Sequence, residues 1–169
     1  SQELTKEKDI EVVPFYVSFD SETYQKEMVE VGVREFYQEM VDHPTVFPKT
    51  SMPSVHDYYE VFEKHAKEQL PVICICITRK FSGSLQSATT AKDMILEEYP
   101  DAQITVIDST VNTVLQGLYV LEACRLRDMG LEYQQIVDAL LPIRETGRIF
   151  FTIGSIDYLK HGGRIGRLA

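Results

Sequence analysis

The chain has 169 residues, of which 44% are hydrophobic and 25% are charged, proportions that exclude a disordered segment and fit one ordinary folded domain. Its 17 basic and 26 acidic residues give a net charge of −9 at pH 7. An acidic surface repels nucleic-acid backbones, so no nucleic-acid partner is expected. The longest purely apolar run, residues 72–77, is far too short to cross a bilayer.

The cysteine pattern favours structural thiols over a metal or redox site. Cys74 and Cys76 lie inside an apolar run, where cysteine behaves as a small hydrophobic residue, and Cys124 leaves the count odd. No C-x-x-C or H-x-x-x-H spacing occurs, so no metal site is predicted. Residues 1–10 are charged and lack the apolar stretch of a secretory signal. A reducing, cytoplasmic location is therefore expected.

The first half of the chain combines short elements with a proline-containing loop. Ser54 and Asp57 have the spacing of a capping box, so a helix is expected to begin there. Pro14 removes one backbone donor and indicates an edge or a bulge in the first strand. The predicted elements are the end of a helix at 1–8, a strand at 10–19, a helix at 33–41, a loop with three prolines at 43–53 and a helix at 54–69.

The second half alternates apolar strands with amphipathic helices. The run 72–78 is almost entirely apolar, as is typical of a strand covered on both faces. Asn112 is a candidate cap for one helix, which Gly130 ends, and Pro142 with Gly147 closes the next. The predicted elements are strands at 72–78, 104–108 and 149–153, and helices at 82–99, 112–129, 133–141 and from Ser155 onward.

This order of elements predicts an α/β fold with a mainly parallel sheet and helices on both faces. Buried strands separated by helices of this length form β-α-β crossovers. In such a sheet the ligand crevice lies beyond the carboxyl ends of the strands. That rule selects three segments, residues 78–84, 108–112 and 152–155.

The turn Ser82-Gly83-Ser84 is the strongest candidate site because it follows a buried strand and opens a helix. Its hydroxyls and the free N–H groups of the helix start suit an anion. Ser82 as a simple N-cap is the alternative. Asp108 ends another strand at the crevice, although it too has an alternative, a hydrogen bond to the local backbone. Neither a P-loop nor a dinucleotide-binding glycine pattern is present.

The main alternative hypothesis is an enzyme, either a small hydrolase or a phosphoryl-transfer enzyme. It would use the Ser82-Gly83-Ser84 turn as an anion hole. A serine nucleophile there needs a base. His161 is the only histidine near the predicted strand ends, and a solvated surface position is the simpler interpretation of each histidine. Since no base and no carboxylate cluster is evident, no catalytic residues are predicted. The second alternative hypothesis is a module that only binds other molecules through its surface. It does not explain the hydroxyl-bearing turns at the predicted strand ends.

Six short segments, spread over nearly the whole chain, form a specific set when they occur together in one order. They are Glu11-Val12-Val13-Pro14, Pro48-Lys49-Thr50-Ser51 with Pro53-Ser54, Ser82-Gly83-Ser84 with Gln86-Ser87-Ala88, Val106-Ile107-Asp108-Ser109, Gln116-Gly117, and Tyr158-Leu159-Lys160 with Gly162-Gly163-Arg164-Ile165-Gly166. In this order they resemble the DegV family of bacterial fatty-acid-binding proteins.

The resemblance implies a carrier that holds one long-chain fatty acid as its ligand, without a cofactor, and presents it to a separate fatty acid kinase. The implied carboxylate-binding residues are Thr50, Ser82 and Arg164. Thr50 and Ser82 are expected to converge on one small-anion position. Transient membrane contact is a further expectation. The other candidate pocket residues are Ser51, Gly83 and Ser84, which lie next to Thr50 and Ser82 in the sequence, and Asp108 and Ser109 at the end of another predicted strand.

The chain also departs from the family pattern. Met52 replaces the usual glutamine, and Ser84 and Leu85 replace threonine and tyrosine, which removes a phenol hydroxyl from the pocket wall. The family begins with a strand that ends in Asp-Ser and continues after Gly-Gly-Arg-Ile-Gly into a second domain. Residues 1–169 are therefore expected to be an N-terminal α/β domain that lacks its first strand and the C-terminal domain.

Overall fold

The computed structural model describes residues 2–150, 152 and 157–163. The chain divides into unit 1, which comprises Ser1–Val13 and Ser54–Phe150, and unit 2, which comprises Pro14–Pro53 and Phe151–Ala169. In chain order the elements are α1 (Gln2–Glu7), β1 (Tyr16–Ser18), β2 (Gln25–Lys26), α2 (Val33–Asp42), β3 (Lys49–Ser51), α3 (Val55–Lys67), β4 (Val72–Cys76), α4 (Ser84–Glu98), β5 (Ile104–Asp108), α5 (Thr113–Asp128), α6 (Tyr133–Ile143) and α7 (Asp157–His161). The predicted α/β class is confirmed.

The core of unit 1 is built on a parallel pair of strands. Strands β4 and β5 run side by side, with Val72 opposite Ile104 and Cys76 opposite Asp108. Because side chains alternate between the faces of a strand, each strand contributes to two apolar layers. One layer joins α3 and α4 to the sheet through Phe62, Ala88, Ile95, Cys74, Cys76 and Val106. The other joins α5 and α6 through Tyr119, Ile136, Leu140, Ile73, Ile75 and Ile107.

The two layers confirm the prediction that this part of the sheet has helices on both faces. The capping box is also confirmed, because the Asp57 N–H donates to Ser54 Oγ at 3.1 Å and the Ser54 N–H donates to Asp57 Oδ2 at 2.8 Å. Gly130 follows α5 with a φ of 83°, the left-handed conformation expected of a glycine that ends a helix.

Unit 2 contains a small antiparallel sheet that the sequence did not predict. Its strand order is β2-β1-β3, and Val17 of β1 lies opposite Gln25 of β2 and Thr50 of β3. The prediction of a loop throughout 43–53 was therefore wrong, because Lys49–Ser51 pairs with β1. The strand predicted at 10–19 shrinks to Tyr16–Ser18, since Val13 packs instead on the α3–α4 layer of unit 1.

Three boundary predictions also need correction. Pro142 lies inside the last turn of α6 rather than closing it, because a missing N–H so close to the helix end removes only one hydrogen bond. Asn112 stands at the N-cap position of α5, but its side chain makes no capping bond. The strand predicted at 149–153 is absent at residues 149, 150 and 152, and its other positions, like Ser155, lie outside the described residues. In the described part of the chain, no helix has the length and apolarity to cross a membrane.

Candidate ligand-binding site

Two loops meet at the carboxyl ends of β4 and β5 in unit 1. The Thr78 N–H donates to the Val111 carbonyl at 2.9 Å, and the Ser109 N–H donates to the Cys76 carbonyl at 3.0 Å. Gln116 in α5 adds a third link, because its side-chain amide donates to the Ile75 carbonyl at 3.3 Å. These bonds hold the two loops together at the edge where parallel sheets place their ligand crevice.

The Ser82 turn lies in the first of these loops and leads directly into α4. The helix begins at Ser84 with Gly83 at the N-cap, and the Ser84 N–H donates to Ser82 Oγ at 3.2 Å. Ser82 is half-buried and Gly83 is exposed. The Ser82 hydroxyl therefore accepts one bond at the helix start and keeps its own proton to donate to an incoming anion.

A buried polar cluster adjoins the Ser82 turn. The Ser84 side chain is 1% exposed, and within the described residues its hydroxyl oxygen has no hydrogen bond of normal geometry. The Tyr58 hydroxyl is a neighbour of Ser84 and Cys76, and burial raises the pKa of Tyr58 well above its ordinary value. Cys74 Sγ lies 3.8 Å from Cys76 Sγ. This contact, together with burial, raises the pKa of the Cys74 thiol and keeps it protonated.

Asp108 and Ser109 in the second loop serve mainly to shape it. Asp108 Oδ1 accepts the Thr110 N–H at 2.9 Å, which is the backbone contact anticipated as its alternative role, and Oδ2 lies 3.7 Å from Arg79 Nε. Ser109 is fully buried, and its hydroxyl donates to the Val111 carbonyl at 3.0 Å. Neither side chain is free of local bonds, although both lie at the predicted edge of the sheet.

A mostly apolar cleft opens beside the second loop. Its volume is about 330 Å³, which falls at the lower end of the range of about 300–1,000 Å³ that is common for ligand pockets. Leu118 is 56% exposed at its rim, so the cleft is open to solvent. Residues from the β5–α5 loop, α5 and the end of α6 line it, namely Ser109, Val111, Leu115, Leu118, Tyr119, Glu122, Ile143, Arg144, Thr146 and Gly147.

Sequence reasoning placed Ser109 at this edge but missed the cleft itself. The available signal was in α5, where Val114 and Leu118 are apolar and exposed, one turn apart, in addition to the residues that face the sheet. A helix with apolar residues on more than one face covers more than a sheet. The contribution of Ile143 and Gly147 carried no local sequence signal, because it depends on where the chain passes after α6.

The remaining predicted site residues lie outside unit 1. Thr50 occupies the middle of β3 in unit 2, is exposed, and pairs with Val17. Ser51 is also exposed, and its hydroxyl donates to the Met52 carbonyl at 3.5 Å. Arg164 lies outside the described residues. The structure thus brings together the Ser82 turn, Asp108 and Ser109, whereas the convergence of Thr50 with Ser82 stays a prediction.

Just before β3, unit 2 holds an aromatic cluster that sequence reasoning did not identify. His161 of α7 stacks on Phe47 with ring centroids 3.9 Å apart, and Tyr158 meets the same ring edge-on at 5.1 Å. The other three histidines lie within 3.4 Å of glutamate oxygens, and the pairs are His43–Glu39, His56–Glu60 and His65–Glu11. In the described residues of unit 1, neither His56 nor His65 is hydrogen-bonded to Ser82.

Metal-binding groups give no competing site in the described part of the chain. No group of three or more histidine, cysteine, aspartate or glutamate side chains there is placed to hold a metal ion. The three cysteines are free thiols. The arrangement is that of an α/β domain with a polar turn at a helix start and an apolar cleft at the same edge of the sheet.

Comparison with known proteins identifies the family to which this domain belongs. The whole chain, residues 1–169, matches the family model described as "Uncharacterised protein, DegV family". The chain therefore belongs to the DegV family, and the resemblance seen in its sequence motifs is confirmed. A DegV domain-containing protein of Clostridium perfringens is 32% identical over 168 residues, which cover 99% of this chain and 58% of that protein.

Solved structures agree with this assignment. A stearic-acid-binding protein from Eubacterium ventriosum matches 100% of this chain and 58% of its own, with a TM-score of 0.94 and 48% identity. The fatty acid kinase B3 protein of Streptococcus pneumoniae, loaded with linoleic acid, matches 92% of this chain and 53% of its own, with a TM-score of 0.77 and 26% identity. The chain spans a little over half the length of each of these three relatives.

Proposed function

We propose that this chain is the α/β domain of a longer carrier that binds one long-chain fatty acid. The carboxylate binds at the Ser82 turn, and the acyl tail enters the cleft beside the β5–α5 loop. The observation that carries the proposal is the similarity, at 48% identity and a TM-score of 0.94 over the whole chain, to the stearic-acid-binding protein of Eubacterium ventriosum.

The chemistry of the Ser82 turn supports a carboxylate as its ligand. A negative charge near the start of the 15-residue helix α4 gains from the helix dipole and from the N–H groups of its first turn. The Ser82 hydroxyl adds a charge-assisted donor. In the described residues of unit 1 no base is bonded to Ser82, which supports an anion-binding turn over a nucleophile.

The position and the apolar lining of the cleft support an acyl tail as its ligand. Both the Ser82 loop and Ser109, which lines the cleft, follow the carboxyl ends of neighbouring parallel strands, so the polar turn and the apolar cleft open at one edge of the sheet. Each buried CH₂ group contributes about 0.8 kcal/mol, and a long chain contributes on the order of 10 kcal/mol before the ordering of the ligand is subtracted.

Thr50 and Arg164 complete the proposed carboxylate site, with Ser51, Gly83 and Ser84 beside them. Their assignment rests on the family motifs that they occupy, Lys49-Thr50-Ser51 and Gly162-Gly163-Arg164. A hydroxyl from Thr50 and a guanidinium from Arg164 are the donor types that bind a carboxylate most strongly. The bound acid is a ligand, and no cofactor is part of the proposal.

The proposed role of the carrier is to present its fatty acid to a cytoplasmic fatty acid kinase. The kinase transfers the γ-phosphoryl group of ATP to a carboxylate oxygen, so that acyl phosphate and ADP form. The relative whose name includes fatty acid kinase supports this partner. Exchange of the acid with a membrane surface is part of the same proposal, and the carrier itself performs no chemical step.

The first experiment asks whether the protein carries a fatty acid at all. The natural polypeptide, with any residues that flank this chain, is purified and examined by native mass spectrometry and by lipid extraction. We expect one fatty acid per protein. Titration with stearate and with octadecanol, which lacks the carboxylate, then tests the polar turn, and stearate should bind more tightly. Absence of bound lipid and of measurable stearate affinity would contradict the proposal.

The second experiment separates a carrier from an enzyme. Acyl phosphate formation is measured with a fatty acid kinase and ATP, with and without the loaded protein, and we expect product only when both proteins are present. The same protein is assayed alone against ester and phosphate-ester substrates. Hydrolysis that disappears in Ser82→Ala would instead establish the rival enzyme that uses the Ser82-Gly83-Ser84 turn as an anion hole.

A further inference from the structure

We propose that His161 is a positioning residue for the Thr50 hydroxyl, which it holds in place through the ring of Phe47. This inference rests on the proposed function, in which Thr50 donates a hydrogen bond to the carboxylate of the fatty acid. It deepens that proposal by naming what fixes β3, the strand that carries Thr50, and it concerns residues of unit 2 alone.

Strand β3 has few contacts of its own to hold it. It has three residues, all of them exposed, and in the described part of unit 2 it pairs on one side only, with β1. Such a short strand at the edge of a sheet is held by few backbone hydrogen bonds. Among the residues that the structure describes, no hydrogen bond is made by the Thr50 hydroxyl. The position of this hydroxyl therefore depends on what anchors the strand.

The aromatic cluster just before β3 supplies such an anchor. The His161 ring lies nearly flat on the Phe47 ring, with centroids 3.9 Å apart and an angle of 15° between the planes. Tyr158 contacts the same ring edge-on. Tyr158 and His161 are three residues apart in α7 and so share one face of the helix. Because a helix of five residues is not stable alone and aromatic pairs are favourable, this cluster fixes α7 and Phe47 against each other.

Pro48 connects the anchored ring rigidly to the strand. Its own ring fixes its φ and restricts the preceding residue, Phe47, to extended conformations. Thr50 follows two residues later, where β3 pairs with Val17 of β1. The backbone between Phe47 and Thr50 therefore has little freedom. If the ring stack were lost, the start of β3 could shift, and the Thr50 hydroxyl would shift with it.

The first test measures stearate affinity in variants of the natural polypeptide after bound lipid has been removed. His161→Ala should bind stearate about 2- to 12-fold more weakly than the wild-type protein, the range that corresponds to one aromatic pair. His161→Phe keeps a ring and should retain most of the affinity. His161→Gln keeps a polar side chain without a ring and should lose as much as His161→Ala. His56→Ala is the matched control, because His56 is an exposed histidine of α3 that pairs with Glu60, and it should bind as the wild-type protein does.

A double-mutant cycle with Thr50→Ala shows whether His161 acts through Thr50. Thr50→Ala alone should weaken stearate binding, because it removes the proposed donor. Once the Thr50 hydroxyl is absent, the additional change His161→Ala should cause no further loss of affinity. A general loosening of unit 2 would instead weaken binding by the same factor in both backgrounds. Thermal unfolding confirms that each variant is folded.

The outcomes separate this inference from the proposed function. Wild-type affinity in His161→Ala, or an equal loss with and without the Thr50 hydroxyl, would overturn the role of His161 while leaving fatty-acid binding intact. Affinity that is kept in His161→Gln but lost in His161→Phe would also overturn it, because the polar group and not the ring would then be responsible. Wild-type affinity in Thr50→Ala would remove Thr50 from the carboxylate site and this inference with it. If the wild-type protein bound no stearate, both proposals would fail together.

Discussion

The hydroxyl of Thr110 donates a hydrogen bond to the backbone carbonyl of Arg144, with a distance of 2.8 Å between the oxygens. This bond joins the loop after β5 to the end of α6, two segments that form walls of the cleft. Thr110 makes it from a left-handed backbone conformation, with a φ of 60°. That conformation is strained for a β-branched residue, so the bond holds a strained loop in place.

Thr110 and Thr113 allow this strain to be measured. Thr113 also has a left-handed φ, of 50°, but it is exposed, and within the described residues its hydroxyl donates only to Asn112 Oδ1, at 3.5 Å. Thr113→Gly should stabilise the protein by up to about 1 kcal/mol, because the relief of about 1–2 kcal/mol exceeds the entropy lost by glycine. Thr110→Gly should change stability little, since the bond to Arg144 is lost at the same time. Chemical denaturation of both variants checks the difference.

Gly147 limits the space available to a ligand tail. A Cβ atom at Gly147 would lie 2.7 Å from Leu115 Cδ2, and Leu115 lines the cleft. In Gly147→Ala the flexible Leu115 side chain must therefore move, and we expect fatty-acid affinity to fall by about 4- to 15-fold, the equivalent of one or two CH₂ groups at about 0.8 kcal/mol each. Titration with stearate measures this loss.

Gly117→Ala is the control for the Gly147 prediction. A Cβ atom at Gly117 would have no neighbour within 4 Å, and the residue lies inside α5. Alanine there should raise stability by about 0.5–1 kcal/mol through helix propensity and leave affinity unchanged. Equal affinity of Gly147→Ala and the wild-type protein would show that the tail does not reach Leu115.

The parts of the fold that could be predicted are those whose signal is local. The run from Val72 to Cys76 is apolar on both faces, and Ser54 and Asp57 carry their capping signal within four residues, so strand and helix start were both identified. The strand Lys49–Ser51 could not be found in this way. It has only three residues, and its strand conformation comes from pairing with β1, more than thirty residues earlier in the chain.

In the candidate site, too, the features with a local sequence signal could be predicted and those that depend on packing could not. The Ser82 turn was recognisable because a buried strand, two serines, a glycine and a helix follow one another directly. The cleft was not, because Leu118 of α5 and Ile143 of α6 become neighbours only after both helices have packed on the sheet. The position of Arg144 at the wall of the cleft is likewise a property of packing, since several other arginines in the sequence look the same without coordinates.

Acid should weaken the attachment of the segment after α1 to α3. Glu11 accepts bonds from His65 Nε2 at 2.8 Å and from Lys64 Nζ at 3.2 Å. Partial burial raises the pKa of Glu11, but these bonds outweigh burial and hold the pKa below the ordinary value of 4.5. The resulting stability is complete above pH 4.5 and is lost as the pH falls through the lowered pKa of the folded state.

The variant Glu11→Gln tests this pH dependence. Its melting temperature should be lower than that of the wild-type protein at pH 6–7, and the difference should shrink as the pH drops below about 4.5. Glu3→Gln, which removes a carboxylate from exposed α1, is the matched control. A difference between Glu11→Gln and the wild-type protein that stayed constant down to pH 3 would show that the Glu11 charge is not the cause.

Ser82→Ala is the prediction that bears most directly on the carrier mechanism. The substitution removes one hydroxyl donor to the carboxylate, which should weaken fatty-acid binding by about 10- to 150-fold, equivalent to about 1.5–3 kcal/mol. It also removes the oxygen that accepts the Ser84 N–H, at a cost of only about 1 kcal/mol of stability, so the fold should survive. Fluorescent fatty-acid titration and thermal unfolding, carried out on the natural polypeptide, measure the two effects separately.

Thr90→Ala provides the comparison for this loss. Thr90 lies on helix α4, and in the part of the chain that the structure describes its hydroxyl bonds only to Gln86, accepting from the side-chain amide at 3.4 Å. It should retain wild-type affinity, because its hydroxyl is two turns of α4 away from the start of the helix. A carrier loses affinity on Ser82→Ala, whereas an enzyme with Ser82 as nucleophile keeps ligand affinity and loses turnover by several orders of magnitude. Wild-type affinity in a folded Ser82→Ala protein would show that Ser82 is not part of the carboxylate site. Thr50 would then be the candidate for the hydroxyl that binds the carboxylate.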